Sequence, residues 1–409
     1  MIKHVLHPPL PDHTGPHQSG ITDPIWPAEA PEGEVTNVYA DRYAGQIERQ
    51  RHLHIVHADV AVASRAELAD LLRKLTEFTR HQMDKPPTQE GWRPLDPPLP
   101  NRRVSITIGF GATLFTSTQG DDRFGIAGLR PSCLKIMPQL DGDDGFLPRD
   151  VVSDLIILVA SDDIYVNEYI FGRLYYGTVH PGILVRRMER GYARPDSREP
   201  SGFEDGISNP RDLPPKYEMR NLVYVQKKDS EPDWCVQGTY LGYRKVRRRL
   251  AKFFLLDHHK RDAQCSDQEA VFGVYKTTGL RVDGRSKPNP NIAPTSHAQK
   301  MNLKRGTRDL FGEIDESRRF LRRPYFFNDG LDSTGEEIRG IHHMSFVRNL
   351  TTQYEWPVLM WQTNPDFPRK GTGRDALYES GGAANIGGGY YFMPPAPGKG
   401  DHIGSALLC

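Results

Sequence analysis

From residue 53 onward the apolar positions fall into short blocks, some repeating every two residues and some every three or four. Residues 53–62 read as a strand. Ser64, Arg65, Ala66 and Glu67 have the spacing of a capping box, in which the Ser hydroxyl accepts from the third helical N–H and the Glu reaches back. Behind it Leu68, Leu71, Leu72, Leu75 and Phe78 share one helical face, and Pro86 and Pro87 end that helix. Val104, Ile106, Ile108 and Phe110 alternate with small or polar residues, as in a half-buried strand. Residues 154–161 are nearly all apolar and suit a central strand, 164–176 a helix, and 183–188 another strand. Strand, helix, strand, strand, helix, strand is the order of a split βαβ, ferredoxin-like unit.

A weaker copy of that order follows residue 220. It predicts strands at 221–225, 240–246 and 346–350, then a helix starting at the capping-box spacing Thr352 to Glu355. Residues 276–343 carry Gly, Pro, Asn and Arg without clear periodicity, which marks a long functional or irregular stretch. Residues 1–45 are rich in Pro, His and Gly and predict an extended arm that wraps the surface, pairs with a partner subunit or is partly disordered. The expected division is an arm over 1–45, a ferredoxin-like domain over 46–200 and a second over 201–409. The fold class is therefore α+β, with duplicated ferredoxin-like units and antiparallel sheets.

Composition narrows the function. Lys plus Arg number 53 and Asp plus Glu 52 in a chain of 409 residues, so no excess of charge points to a nucleic-acid partner. The dense basic run from Arg244 to Arg249 reads as a solvated strand or edge. Cys133, Cys235, Cys265 and Cys409 are far apart and form no C-x-x-C pair, which argues against a zinc site or a disulfide framework. No run approaches the roughly 18 apolar residues of a membrane span. With no secretory or twin-arginine pattern at the start, the expectation is a soluble cytoplasmic protein without a membrane partner.

Three segments could carry chemistry. In SGFEDGISNP, Gly202 and Gly206 bracket Phe203 and Asp205, so a carboxylate could be held close to a bound group as a proton shuttle. The same letters also fit an ordinary turn. In TSHAQKMN, His297 could ligate a metal if its second ring nitrogen met a fixed acceptor, although most histidines do neither. The cluster from Arg318 to Arg323 could present a guanidinium to an anion or lie solvated on a strand.

These segments, in this order and at these separations, resemble the dye-decolorizing peroxidase family. SGFEDGISNP resembles its Gly-x-x-Asp-Gly signature, SHAQKMN its proximal-ligand segment and RRFLRRPYFF its Arg-Ile-Leu-Arg-Arg segment. QGTYLGYRK, the stretch from Ser345 to Pro368, and GTGRD at 371–375 resemble further parts. Gln299 stands where the family usually has Arg, and Ala376 where it has Pro. The resemblance implies one haem b per chain in the C-terminal half, with His297 as the axial iron ligand and Asp375 as its acceptor. It implies Asp205 and Arg319 as catalytic residues, with Arg318 the nearest competitor for the arginine role. Gly202, Phe203, Gly206 and Phe346 would line the cofactor. The implied activity is reduction of hydrogen peroxide through a ferryl haem and oxidation of small dye-like or phenolic donors. Alternatives are release of iron from haem, as in deferrochelatases, and a haem carrier or sensor. The arm hints at a homodimer.

Overall fold

The computed structural model describes residues 11, 13–22, 49–84, 103–140, 143–146, 152–194, 198–203, 209–210, 218–249, 293–301 and 315–409. The first unit contains β1 (His52–Val60), α1 (Arg65–Asp84), β2 (Ser105–Gly111), β3 (Leu155–Ser161), α2 (Ile164–Tyr175) and β4 (Ile183–Tyr192), in the expected order. The capping box forms: the Glu67 N–H donates to Ser64 Oγ at 3.2 Å and the Ser64 N–H to Glu67 Oε2 at 3.2 Å. Leu68, Leu71, Leu72 and Leu75 are buried against the sheet.

The second unit differs from the sequence expectation in three places. Residues 218–223 form α3 (Glu218–Val223) where a strand over 221–225 is expected. Met219 and Val223, four apart, share one apolar cluster, so the helical period wins over a short apolar run that suits either state. β5 (Thr239–Arg248) stands as expected, but 276–343 is not wholly irregular. It contains β6 (Leu321–Arg322), β7 (Tyr325–Leu331) and the start of β8 (Glu337–Val347). The helix after β8 is capped earlier than expected. Asn349 Oδ1 accepts from the Thr352 N–H at 2.9 Å, and Gln353 Oε1 accepts from the Asn349 N–H at 3.0 Å. Asn is the stronger N-cap, so the turn begins there, and residues 351–362 wind as π-helix through Pro357. β9 (Ala383–Met393) is the last strand.

All the strand pairings are antiparallel, and they return on themselves: β5–β9–β2–β3–β1–β4–β7–β8–β5, with β6 added beside β8. The two units thus close one ring, which removes most free edges. Alternation along each strand gives two faces. Leu53, Ile55, Ile156, Leu241, Tyr243, Met344, Phe346 and Tyr391 point inward into one cluster. Tyr240, Val347 and Phe392 point outward and pack with Leu71 and Tyr354. Part of the arm is docked on the ring itself: the Gln18 amide donates to the Ile108 and Pro394 carbonyls, each at 2.9 Å, and Ile21 is buried in the interior cluster.

The basic run of β5 is not a solvated edge. Arg244 faces Asp143, Lys245 faces Glu189 and Asp329, Arg247 faces Asp332, Arg248 faces Glu199 and Arg249 faces Asp144. β5 is paired on both sides, so its charges are matched rather than bathed. No helix among the described residues is long and apolar enough to cross a membrane.

The interior is also where pH acts on stability. Inside the ring burial lowers His57 and His342 below the usual histidine value, and on the outer face, against Glu168 and Phe171 of α2, it lowers His54 to about 4. Burial alone would raise Glu189, but His342, Lys245, Arg187 and His57 hold it down to about 2. Below about pH 6.5 the unfolded chain takes up protons that the folded histidines refuse, and below about 4.3 the same holds for Glu189. Both contributions have one sign. The thermal midpoint is expected to fall steadily from pH 7 to pH 4. A flat profile over that range in scanning calorimetry would show that these groups protonate within the folded ring.

Candidate haem site

His297 opens a single helical turn, α4 (His297–Lys300), and its ring lies beside Asp375. Nδ1 is 2.6 Å from Asp375 Oδ2; the carboxylate is fully buried, and the His side chain is 29% exposed. A carboxylate oxygen accepts, so Nδ1 carries the hydrogen and Nε2 keeps its lone pair. That is the state a metal ligand needs.

The local chain explains the pairing. The Asp375 N–H donates to the Gln362 carbonyl at 3.0 Å, and the next N–H, of Ala376, donates to the Thr295 carbonyl at 2.8 Å. Asp375 also caps the short helix α5 (Ala376–Glu379), its Oδ1 accepting from the Leu377 N–H at 3.0 Å. One carboxylate oxygen therefore fixes the helix and the other is aimed at the histidine. The approach to Asp375 turns at Gly373, whose φ of +100° disfavours any side chain. A Cβ there would also come within 3.1 Å of Thr295.

Sequence reasoning missed Lys300, which lies one turn after His297. It is fully buried, and its ammonium donates to the carbonyls of Asn364 at 2.8 Å, Phe367 at 2.6 Å and Gly373 at 2.8 Å. It ties the ligand turn to the loop that delivers Asp375. The signal was a lysine at helical spacing from the ligand, but lysines are mostly exposed and nothing local reveals three distant carbonyls. Replacing it, Lys300→Met, would leave those carbonyls without their buried cation. It is expected to destabilise the chain by roughly 2–4 kcal/mol, read as a lower midpoint in denaturant unfolding. An unchanged midpoint would mean that the loop is held by other contacts.

The Gly202 segment is anchored close by. Gly202 has φ +89°, and Phe203 is buried with Val246, Ala383 and Leu377, the last of these only two residues from Asp375. Buried Glu199 accepts from the Ser201 N–H at 3.0 Å and faces Arg248 of β5 at 3.5 Å. Asp205 and Gly206 lie outside the described residues. The chain is described again at Asn209, whose amide donates to the Arg322 carbonyl at 2.8 Å and whose Oδ1 accepts from the Arg322 N–H at 3.1 Å.

The arginines of the cluster separate by surroundings. Arg318 donates to the Thr352 carbonyl at 2.8 Å and lies over Trp356. Arg323 points into the ring, with Gln50 Oε1 at 2.7 Å. Arg319 is buried just before β6, and its carbonyl accepts from the Gln353 amide at 2.7 Å. Arg322 is half-buried. It pairs with Ser345, which pairs in turn with Gly242, so it sits on the outward face with Arg244 and Val246. That is the face on which Phe203 and Leu377 pack. Sequence reasoning placed Arg322 in the candidate cluster but gave it no role of its own.

Phe346 is a residue that the resemblance implies lines the cofactor. It is fully buried in the interior cluster with Leu321, Tyr391 and Met344, on the face opposite to that of Phe203 and Val246. A strand has period two, and the outward positions of β8 are Ile341, His343 and Ser345. Phe346 is therefore part of the ring's core and does not line the outward face.

The closed antiparallel α+β ring thus carries, on its outer face, a histidine oriented by a buried carboxylate. Comparison with known proteins defines the class further. The family models for the N-terminal and C-terminal parts of Dyp-type peroxidases match residues 47–192 and 196–397. The chain belongs to the Dyp-type peroxidase family, and it is a haem peroxidase, an oxidoreductase. Among similar solved structures, a DyP-type peroxidase from Cellulomonas bogoriensis has a TM-score of 0.71 at 20% identity, covering 98% of both chains. Ferric DtpA from Streptomyces lividans has a TM-score of 0.67 at 23% identity, covering 97% of this chain and 96% of its own. A deferrochelatase of Escherichia coli O157:H7 is 26% identical over 404 residues, covering 90% of this chain and 86% of that protein.

Proposed function

We propose that this chain binds one haem b through His297 Nε2, reduces hydrogen peroxide and oxidises small aromatic donors. The single observation that carries this reading is the 2.6 Å bond from His297 Nδ1 to a fully buried Asp375. It fits the cofactor because the bond fixes the ring's orientation and leaves one nitrogen for iron. When bound, haem supplies the electron chemistry of peroxide reduction.

The protein's share is binding, orientation and proton handling. Asp375 accepts the Nδ1 hydrogen and raises the donor strength of Nε2. Asp205 takes the proton from hydrogen peroxide and returns it to the leaving oxygen. Its support is the sequence motif, together with Phe203 and Asn209, which fix the chain on either side of it. A guanidinium stabilises the charge that develops as the oxygens separate. Arg319 is the choice by resemblance. Arg322 has the stronger geometric case, because Asn209 clasps its backbone and its register places it on the outward face.

The test is the absorption spectrum of the haem-loaded chain before and after an equivalent of hydrogen peroxide. A Soret band that shifts with peroxide and returns with a phenolic donor is expected. No stoichiometric haem binding would refute the reading. A second reading, removal of iron from intact porphyrin, is favoured by the deferrochelatase relatives. Fluorescence of iron-free porphyrin after incubation with haem would establish it, and its absence would leave the peroxidase reading alone. A carrier or sensor would need His297 but not Asp205 or a guanidinium.

A further inference from the structure

The interior of the ring holds a polar cluster that the peroxide site does not use. Tyr243, Tyr391, His57, His342 and Glu189 are all buried there, contributed by strands of both units. Tyr243 Oη is 2.9 Å from His342 Nδ1 and 3.3 Å from Glu189 Oε2. Tyr391 Oη is 3.0 Å from His57 Nδ1 and 2.9 Å from Ser153 Oγ. Two buried tyrosines, each against a histidine, would look equivalent from composition alone.

The outer contact of each imidazole tells them apart. His342 Nε2 faces the Arg190 carbonyl at 3.1 Å, which only accepts. Nε2 therefore carries the hydrogen, and Nδ1 is a bare acceptor aimed at the Tyr243 hydroxyl. His57 Nε2 faces the Arg187 guanidinium at 3.3 Å, which only donates. There Nδ1 carries the hydrogen and donates to Tyr391, whose own proton goes to Ser153; Ser153 donates in turn to the Leu155 carbonyl at 3.0 Å. Tyr243 has a base and Tyr391 has none.

The surroundings suit a transferred proton. Glu189 Oε2 lies 3.8 Å from His342 Nδ1, so a protonated imidazole would meet a carboxylate, which Lys245 and Arg187 hold charged. Burial and the neighbouring Glu189 push the Tyr243 hydroxyl well above its ordinary value, so an electron leaves Tyr243 only together with its proton. Burial keeps His342 neutral and able to accept. Tyr243 is also close to the outer face in the sense that matters. It lies between Gly242 and Arg244 of β5, both of which point outward, so one strand's thickness separates its ring from that face.

We propose that Tyr243 is a redox-active residue of the peroxidase cycle, with His342 as its proton acceptor. The tyrosine O–H bond breaks, and the proton forms an N–H bond at His342 Nδ1. The electron reduces the cofactor that peroxide has oxidised, leaving a neutral tyrosyl radical inside the ring. A donor at the surface returns the electron, and His342 returns the proton. The inference rests on haem being held at His297.

The test uses haem-loaded full-length protein mixed with hydrogen peroxide, freeze-quenched and read by electron paramagnetic resonance, with the Soret band followed in parallel. Wild type is expected to show a tyrosyl signal whose hyperfine pattern collapses when the tyrosines are ring-deuterated. Tyr243→Phe is expected to lose that signal while keeping the Soret response, and Tyr391→Phe to keep both. His342→Gln is expected to slow radical formation without altering haem binding. A normal Soret response with no protein radical in wild type, or with an unchanged signal in Tyr243→Phe, overturns this proposal alone. No Soret response in wild type overturns it together with the peroxidase reading.

Discussion

His297→Ala is expected to abolish the Soret band that haem induces in the wild-type chain. In this reading the imidazole would be the protein's bond to iron, so its loss would remove the group that holds the haem. Groups that merely support a metal ligand already change metal affinity by about 10–100-fold, and the ligand itself counts for more. A second effect adds to this. Asp375 is fully buried and gives one oxygen to His297 and the other to the Leu377 N–H. Removing the imidazole leaves one oxygen of a buried carboxylate without its hydrogen-bond donor, which costs about 1–3 kcal/mol and less to the extent that water enters. Titration with haem, followed near the Soret maximum, measures the first effect. Added imidazole separates it from the second, because a folded chain with an open ligand position would recover the band. Haem titrating His297→Ala with wild-type affinity would show that iron is held from another position.

How much of this was readable in the sequence depends on the range of the interaction. Local devices were: the Ser64 capping box and the leucine face of α1 need only neighbouring residues, and they form as read. The strand order of the first unit followed for the same reason. The closure of the ring did not, because β2–β9 and β4–β7 join segments far apart in sequence through few paired residues. Alternation shows that residues 345 and 346 face opposite ways but not which way is inward. Phe346 was assigned to the cofactor from the resemblance, and Arg322 stood in the candidate cluster without a role of its own. At 221–225 the apolar run fitted strand or helix, and packing of Met219 with Val223 chose helix. The His297–Asp375 pair spans 78 positions, and nothing in spacing or composition joins the two; only the resemblance of both segments to one family did. Lys300 lies in the same matched segment, but nothing there showed which carbonyls its ammonium meets.

The second large effect is expected at the groups proposed to handle the peroxide proton and charge. Asp205→Asn keeps the size and most of the hydrogen bonding of the side chain but removes its capacity to take a proton. If Asp205 shuttles the peroxide proton, the rate of the peroxide-induced Soret change should fall by about 10²–10⁴-fold, with haem affinity unchanged. Removal of the guanidinium partner should cost about 10²–10³-fold, and here the two arginines diverge. Arg319 follows the 3-10 turn at Asp315–Arg318, and its carbonyl, which Gln353 holds, needs no side chain. Arg322 faces outward beside Ser345, and Asn209 grips its backbone through both the N–H and the carbonyl. Substitution with Leu leaves those backbone bonds in place, so Arg322→Leu and Arg319→Leu each test the side chain alone. Stopped-flow mixing with peroxide should show the large loss in Arg322→Leu and a small one in Arg319→Leu. The reverse order would return the role to Arg319. Wild-type rates in both, with a slow Asp205→Asn, would mean that the carboxylate acts without either guanidinium.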